Sequence, residues 1–296
     1  MFVRSLNEKS RRKKNDSVKL SIIIATHARA PALQRLIDSL APQLDTARHE
    51  LFVAENGTPA PTPLDPRLTL THLHEPRPGK CRVQNRAIAA AHGELIACLD
   101  DDLMVGANYV TAVENFFDSH PHYAAMKGRI IPAEDPAIKV GALAPYLDLP
   151  IVDEGDCVIE VRGVLGANMA FRAAALREVG PFDERLGPGA AGHEEETEMS
   201  QRLRRAGFHV GYAPDAVVYH EVDPARASRE RFLRIARERG YCRTLHEQHS
   251  KWTARADLAL AASRLALARI GRAPLARIAR EERRVAIARG ILDGLR

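Results

Sequence analysis

The feature that most limits what this chain can fold into is a short apolar run that ends in three adjacent carboxylates. It reads Leu95-Ile-Ala-Cys-Leu99, then Asp100, Asp101 and Asp102. An unbroken apolar run of this length predicts a strand buried on both faces, which places its acidic end at a sheet edge. Neighbouring carboxylates repel one another, so a fold keeps them together where positive charge gathers. A divalent cation with oxygen ligands, shared with a phosphorylated substrate, meets that requirement. A solvated acidic turn capping the next helix meets it too, and the triplet alone leaves both readings open.

The surrounding residues extend the pattern. Val18 to Ala25 is a β-branched run, Thr26 to Pro31 a loop, and Ala32 to Leu40 a helix opened by Pro31 with Leu33, Leu36, Ile37 and Leu40 on one side. Glu50 to Glu55 reads as a second strand, Thr58 to Pro66 as a Pro-rich linker, Leu68 to Leu73 as a third strand and Gly79 to His92 as a helix. This alternation predicts an α/β domain with a mostly parallel sheet flanked by helices. In such sheets ligands bind beyond the carboxyl ends of the strands, where Thr26-His27, Glu55-Asn56 and Asp100 to Asp102 all fall.

The second half is less regular. Strands are expected over Tyr123–Ile131, Cys157–Val161, Leu165–Phe171, Phe208–Tyr212 and Ala216–Tyr219, and helices over Ala173–Val179 and Glu194–Ala206. From Pro224 the chain turns helical, Arg-rich and Ala-rich. The expected organisation is a basic disordered tail over 1–17, a catalytic α/β domain over 18–223 and a helical appendage over 224–296.

The net charge of +5 conceals an asymmetry. Residues 1–19 carry seven basic and two acidic side chains, and residues 226–296 carry eighteen and seven. The segment between them holds 18 basic and 29 acidic residues. Basic ends on an acidic body suggest docking to an anionic surface such as a cytoplasmic leaflet; a solvated helical face is the plainer alternative. With few aromatics to stack on bases, nucleic acid is not expected as a partner. Scattered cysteines, no membrane-length apolar run and no signal-peptide pattern lead to a cytoplasmic expectation, peripheral at the inner face of the cell membrane.

Several segments together resemble family 2 nucleotide-sugar glycosyltransferases of the GT-A fold. They are Ser21-Ile-Ile-Ile-Ala-Thr-His-Ala-Arg29, Val53-Ala-Glu-Asn-Gly-Thr58, Gly79-Lys-Cys-Arg-Val-Gln-Asn-Arg-Ala-Ile88, Ala91-His-Gly-Glu94 and Leu99-Asp-Asp-Asp102. Further along come Gly166-Ala-Asn-Met-Ala-Phe-Arg172, Gly180-Pro-Phe-Asp-Glu184, Glu194-Glu-Glu-Thr-Glu-Met-Ser-Gln-Arg-Leu203 and Val217-Val-Tyr-His220. The resemblance implies a GT-A domain followed by the helical appendage, with a role for each matched residue. Thr26, His27 and Arg29 would border the nucleotide, with Glu55 and Asn56 at the base. Lys80, Arg82 and Asn85 would line the helix start facing it. Asp102 would bind the metal, Asp100 or Asp101 the ribose, and His220 would complete the metal shell. Glu195-Glu196 would hold the catalytic base, Glu196, while Asn168, Phe182 and Asp183 would flank the acceptor; His193 is a further acid-base or acceptor candidate.

These roles suit the chemistry. A nucleoside diphosphate leaving group gathers negative charge that Mn²⁺ or Mg²⁺ would stabilise, and an acceptor hydroxyl needs a carboxylate to take its proton. The expected activity is metal-dependent inverting transfer from a nucleotide-diphosphate sugar, UDP-linked by first choice, to a glycan or glycolipid acceptor. Each residue also has a plain reading: Glu194 to Glu196 complement a helix dipole, and His220 ends a strand. His27-Ala28 stands where the family has Tyr-Asn, Gln84 where it commonly has Arg, and Glu55 and Glu196 stand where it has Asp. These changes keep open a silent nucleotide-sugar-binding scaffold docked by its basic ends. A sugar-phosphate nucleotidyltransferase fits less well, because Ala25 to Pro31 lacks the glycines of a phosphate loop.

Overall fold

The computed structural model describes residues 18–57 and 70–296. The expected tail over 1–17 and the Pro-rich linker therefore lie outside the described residues. Four parallel strands open the fold: β1 (Leu20–Thr26), β2 (His49–Asn56), β3 (Leu70–Glu75) and β4 (Leu95–Asp100), with β1 between β2 and β4. Helices α1 (Ala30–Leu40) and α2 (Lys80–Ala90) connect them. There follow β5 (Leu103–Val105), α3 (Tyr109–Ser119), β6 (Tyr123–Pro132), α4 (Pro136–Val140), β7 (Ile159–Val161) and β8 (Asn168–Arg172). The chain continues through α5 (Ala173–Val179), α6 (Glu195–Arg205) and β9 (His209–His220) to α7 (Arg229–Arg243), α8 (Lys251–Ile270) and α9 (Leu275–Gly294). The single sheet runs β3-β2-β1-β4-β8-β6-β9-β5, with β7 also on β9.

Strand alternation divides the core between the two sheet faces. Leu20, Ile22 and Ile24 of β1 pack with Leu33, Leu36 and Ile37 of α1 and with α3. Ile23 points the other way, toward Val83 of α2, Leu176 of α5 and Met199 of α6. The apolar runs that read as strands buried on both faces are covered by helices on both faces.

Two departures from the expected elements have clear causes. Phe208–Tyr212 and Ala216–Tyr219 form one strand, β9, rather than two. Its pairing with β6 jumps from Gly128↔Ala213 to Arg129↔Val217, so the extra residues around Pro214, which has no N–H to donate, bulge out without ending the strand. After Asp102 comes β5, not a helix, and it pairs antiparallel with β9. The triplet therefore does not cap a following helix.

Helices α7 and α8 both pack against α9. Glu282 of α9 accepts from Arg229 of α7, Arg269 of α8 and the Tyr146 hydroxyl, tying these helices to the turn at 141–146. Where α7 crosses α9 the backbones nearly touch. A Cβ on Gly240 would sit 2.0 Å from the Ile287 carbonyl oxygen, and one on Gly290 would sit 1.9 Å from that of Arg237. Among the described residues no helix is long and apolar enough to cross a membrane. Gly290→Leu should force this crossing apart and cost about 1–3 kcal/mol, read as an earlier urea midpoint; an unchanged midpoint would show that the helices can separate freely.

Candidate active site

The carboxyl ends of β1, β2 and β4 open onto a cleft of about 830 Å³. The three carboxylates at its floor point to different partners. Asp100 receives Lys80 Nζ at 2.5 Å. Asp101 accepts from Thr26 Oγ1 at 2.7 Å and from Arg29 Nη1 at 3.0 Å. Asp102 Oδ2 accepts from Arg29 Nη1 at 3.0 Å and Arg226 Nη2 at 2.7 Å. Burial pushes the Asp101 carboxyl up, and Thr26 and Arg29 offset this only in part. Burial also opposes charge on Asp102, but His220, Arg226 and Arg29 outweigh it and hold that carboxyl below the ordinary range.

Asp102 and His220 meet because Leu103 pairs with His220 across β5 and β9. His220 Nε2 lies 3.4 Å from Asp102 Oδ1, with both side chains largely buried. The other ring nitrogen, Nδ1, is 2.9 Å from the Glu221 carbonyl oxygen. An Nδ1–H donated there leaves Nε2 facing Asp102, the ring orientation that a metal-ligating histidine adopts. One carboxylate oxygen beside one imidazole nitrogen fits Mn²⁺ or Mg²⁺, which take most of their ligands from water and phosphate oxygens. Among the described residues no cluster of three or more His, Cys, Asp or Glu side chains could hold a metal by itself.

Glu195 and Glu196 open α6 after Glu194, whose backbone is left-handed at φ 75°. Glu195 is buried, and Lys80 Nζ lies 3.7 Å from its Oε1. Burial, then the neighbouring Glu196 carboxylate that shares a hydrogen bond with it, pushes the Glu195 carboxyl up despite Lys80. Lys80 is itself buried, yet Asp100 and Glu195 raise its affinity for the proton. Its ammonium thus links the carboxylate triplet to the Glu195–Glu196 pair.

The other expected residues divide between the cleft and its supports. Thr26, His27, Arg29, Lys80 and His193 line the cleft. Asn56 also reaches it, but its amide bonds the Glu75 and Arg77 carbonyls and the Gly79 N–H, which holds the turn into α2. Glu55 is buried against His72 on β3 and so faces the sheet edge rather than the cleft. Arg82 pairs with Glu184, and Asn85 exchanges bonds with the Phe182 N–H and C=O, both at 2.9 Å. These residues fasten α2 to the 182–184 loop. Phe182 packs edge-on to Phe171 in the core, and Asp183 pairs with Arg185.

Asn168 requires a correction. It is fully buried, donates to the Arg129 and Ala216 carbonyls and accepts from the Tyr109 hydroxyl. It joins three strands and α3 inside the protein and is no part of an acceptor wall. The cleft also contains residues that the sequence reading missed: Asp148, Arg226, Arg231, Arg234 and Glu238. Four of them come from the segment read as an appendage, so the expected boundary at 224 cuts through the cleft lining. The turn Asp223-Pro224, directly after His220, was the available signal that the chain stays at the sheet edge.

This sheet, with an acidic triplet closing β4 and a histidine closing β9, is the GT-A fold of nucleotide-sugar glycosyltransferases. The chain belongs to glycosyl transferase family 2, whose pattern matches residues 21–180. It is 27% identical over 215 residues to the pre-mycofactocin glycosyltransferase of Mycobacterium tuberculosis, a match over 68% of this chain and 42% of that protein. It is 25% identical over 158 residues to the glucosyl-dolichyl phosphate glucuronosyltransferase of Haloferax volcanii, covering 48% of this chain and 50% of that protein. The chain thus spans half or less of the length of these curated relatives. Its structure is similar to that of the mannosyltransferase PcManGT from Pyrobaculum calidifontis, solved with GDP-Man and Mn²⁺, at TM-score 0.63 and 18% identity over 94% of this chain and 87% of that one.

The raised Glu195 carboxyl has a consequence for stability. The folded protein holds this proton more tightly than the unfolded chain, so the stabilisation is complete below the ordinary carboxylate range. It is lost progressively as pH rises above that range. Glu195→Gln keeps a neutral group there, so its stability relative to wild type should improve between about pH 5 and pH 8 in paired urea titrations. A difference that stays constant with pH would mean Glu195 is not perturbed.

Proposed function

We propose that this chain is a metal-dependent, inverting glycosyltransferase. It moves a sugar from a nucleotide-diphosphate donor, UDP-linked by first choice, to a hydroxyl of a glycan, glycolipid or similar cell-surface precursor at the inner face of the cell membrane. The observation that carries this reading is the Asp102–His220 pair on the cleft together with Lys80, also on the cleft, whose ammonium links Asp100 to Glu195 at the start of α6. Asp102 and His220 would hold Mn²⁺ or Mg²⁺, which when bound neutralises charge gathering on the departing diphosphate.

The protein's own groups supply the rest. Arg29 and Arg226 bring two guanidinium groups to the same carboxylate oxygen, beside the position where diphosphate charge would develop. Thr26 and Arg29 keep Asp101 in place, which orients the nucleotide end of the cleft. Glu196, at the start of α6, takes the proton of the acceptor hydroxyl as that oxygen attacks the anomeric carbon. Glu195 shares a hydrogen bond with Glu196 and, with Lys80, sets its position. A single displacement with one base inverts the anomeric centre. The two Glu-for-Asp substitutions favour the silent scaffold as the second reading, because the added methylene displaces each carboxylate.

Thermal-shift measurements with a panel of nucleotide sugars and Mn²⁺ would identify the donor, since a ligand that binds only the folded state raises its melting temperature. With that donor, Glu196→Gln should bind as wild type does and lose about 10²–10⁴-fold in transfer rate. Transfer near the wild-type rate would remove Glu196 from the base role, and a wild type that binds donor without transferring it would favour the scaffold.

A further inference from the structure

Helix α8 carries two apolar faces, and among the described residues only one has a partner. Its inner seam, Ala254, Ala261 and Ala268, is buried, with Leu258 and Leu265 half-buried between them. The helix packs against the following helix, α9. On the opposite side Trp252, Leu260, Leu267 and Ile270 stand in solvent at 80%, 51%, 68% and 80% exposure. At 100° per residue they fall within an arc of about 80°, and Ala256 and Ser263 lie in the same arc.

The rim of this stripe is basic. Within α8, Lys251, Arg255, Arg264 and Arg269 stand against a single acid, Asp257. Arg269 turns inward to Glu282. Among the described residues Lys251, Arg255 and Arg264 have no carboxylate partner, while Arg255 lies over the Trp252 ring at 5.9 Å. Exposed Arg272, Arg277 and Arg280 continue the positive charge into the next helix. This is where much of the uncompensated charge of residues 226–296 resides.

The geometry points to the outer face of α8 as a docking surface for an anionic lipid leaflet. A helix with an apolar stripe, a basic rim and a tryptophan at one end lies in the plane of an interface, with the stripe in the acyl boundary and the rim against headgroups. Pairing two copies through this face would bring two cationic rims together, so charge complementarity selects lipid over a second copy. The inference rests on the membrane location proposed above and gives it a surface.

Trp252 is the only tryptophan of the chain, so its fluorescence reports on this face directly. The full chain is to be mixed with phosphatidylcholine vesicles, with and without phosphatidylglycerol, and followed by emission and co-sedimentation. Emission should shift to the blue, and protein should sediment, with the phosphatidylglycerol vesicles. A triple variant, Leu260→Gln with Leu267→Gln and Ile270→Gln, should melt at the wild-type temperature, since these side chains are exposed. It should bind the same vesicles roughly tenfold more weakly. Arg255→Glu with Arg264→Glu should lose the preference for phosphatidylglycerol.

Equal partitioning of the triple variant and wild type would overturn the assignment. So would an emission shift without vesicles that follows protein concentration and accompanies dimer formation, which would give the face to a second copy. Nucleotide-sugar binding by the same variants in vesicle-free solution keeps a failure here distinct from a failure of the transferase reading.

Discussion

Repulsion among Asp100, Asp101 and Asp102 is the constraint on which the rest of the site depends. Each carboxylate is answered from a different part of the chain: Asp100 by Lys80 at the start of α2, Asp101 by Thr26 and Arg29 after β1. Asp102 is answered by His220 at the end of β9 and by Arg226 just beyond it. Removing one partner from a buried carboxylate typically costs about 3–5 kcal/mol, so these contacts draw four regions of sequence to one sheet edge. The same cations line the cleft and give it positive charge beside the triplet.

Lys80 extends this logic from the cleft to the start of α6. Its ammonium touches the triplet through Asp100 and the helix-opening pair through Glu195. The triplet and the helix-opening pair therefore share one buried cation. Burial, which by itself would leave both the lysine and the glutamate neutral, is overcome for Lys80 and prevails for Glu195. The result is a carboxyl that holds its proton more tightly than usual next to a partly exposed Glu196.

The parallel half of the fold was legible because a strand buried on both faces has no polar alternation to confuse. Ser21–Ala25 and Leu95–Leu99 could hardly be anything else, and the loops after them had to share an edge. The irregular half was harder to read. The two strands expected over Phe208–Tyr212 and Ala216–Tyr219 are one, because the residues between Ala213 and Val217 bulge out of β9 while β6 runs on. Asn168, Asn85 and Asn56 read as ligand contacts because a polar residue beside an apolar segment has the same local appearance in either role. Only the tertiary fold reveals that their amides bond to backbone. Arg226 and Arg231 were hidden for the opposite reason, since an arginine in an Arg-rich segment carries no local signal.

The basic C-terminal segment also proves to be two things. Part of its charge turns inward, with Arg229 on Glu282, Arg239 on Asp148 and Arg243 on Glu194, and this part builds the protein. Arg226, Arg231 and Arg234 line the cleft, and part of the remainder lies along α8. The central claim concerns the edge where β4 and β9 end, and calorimetric titration of UDP into the wild type and Asp102→Ala, each with and without Mn²⁺, tests it most directly. A nucleotide site built around Asp102 and His220 predicts binding that needs both the aspartate and the ion. Equal affinity of the two proteins, unaffected by Mn²⁺, would contradict it.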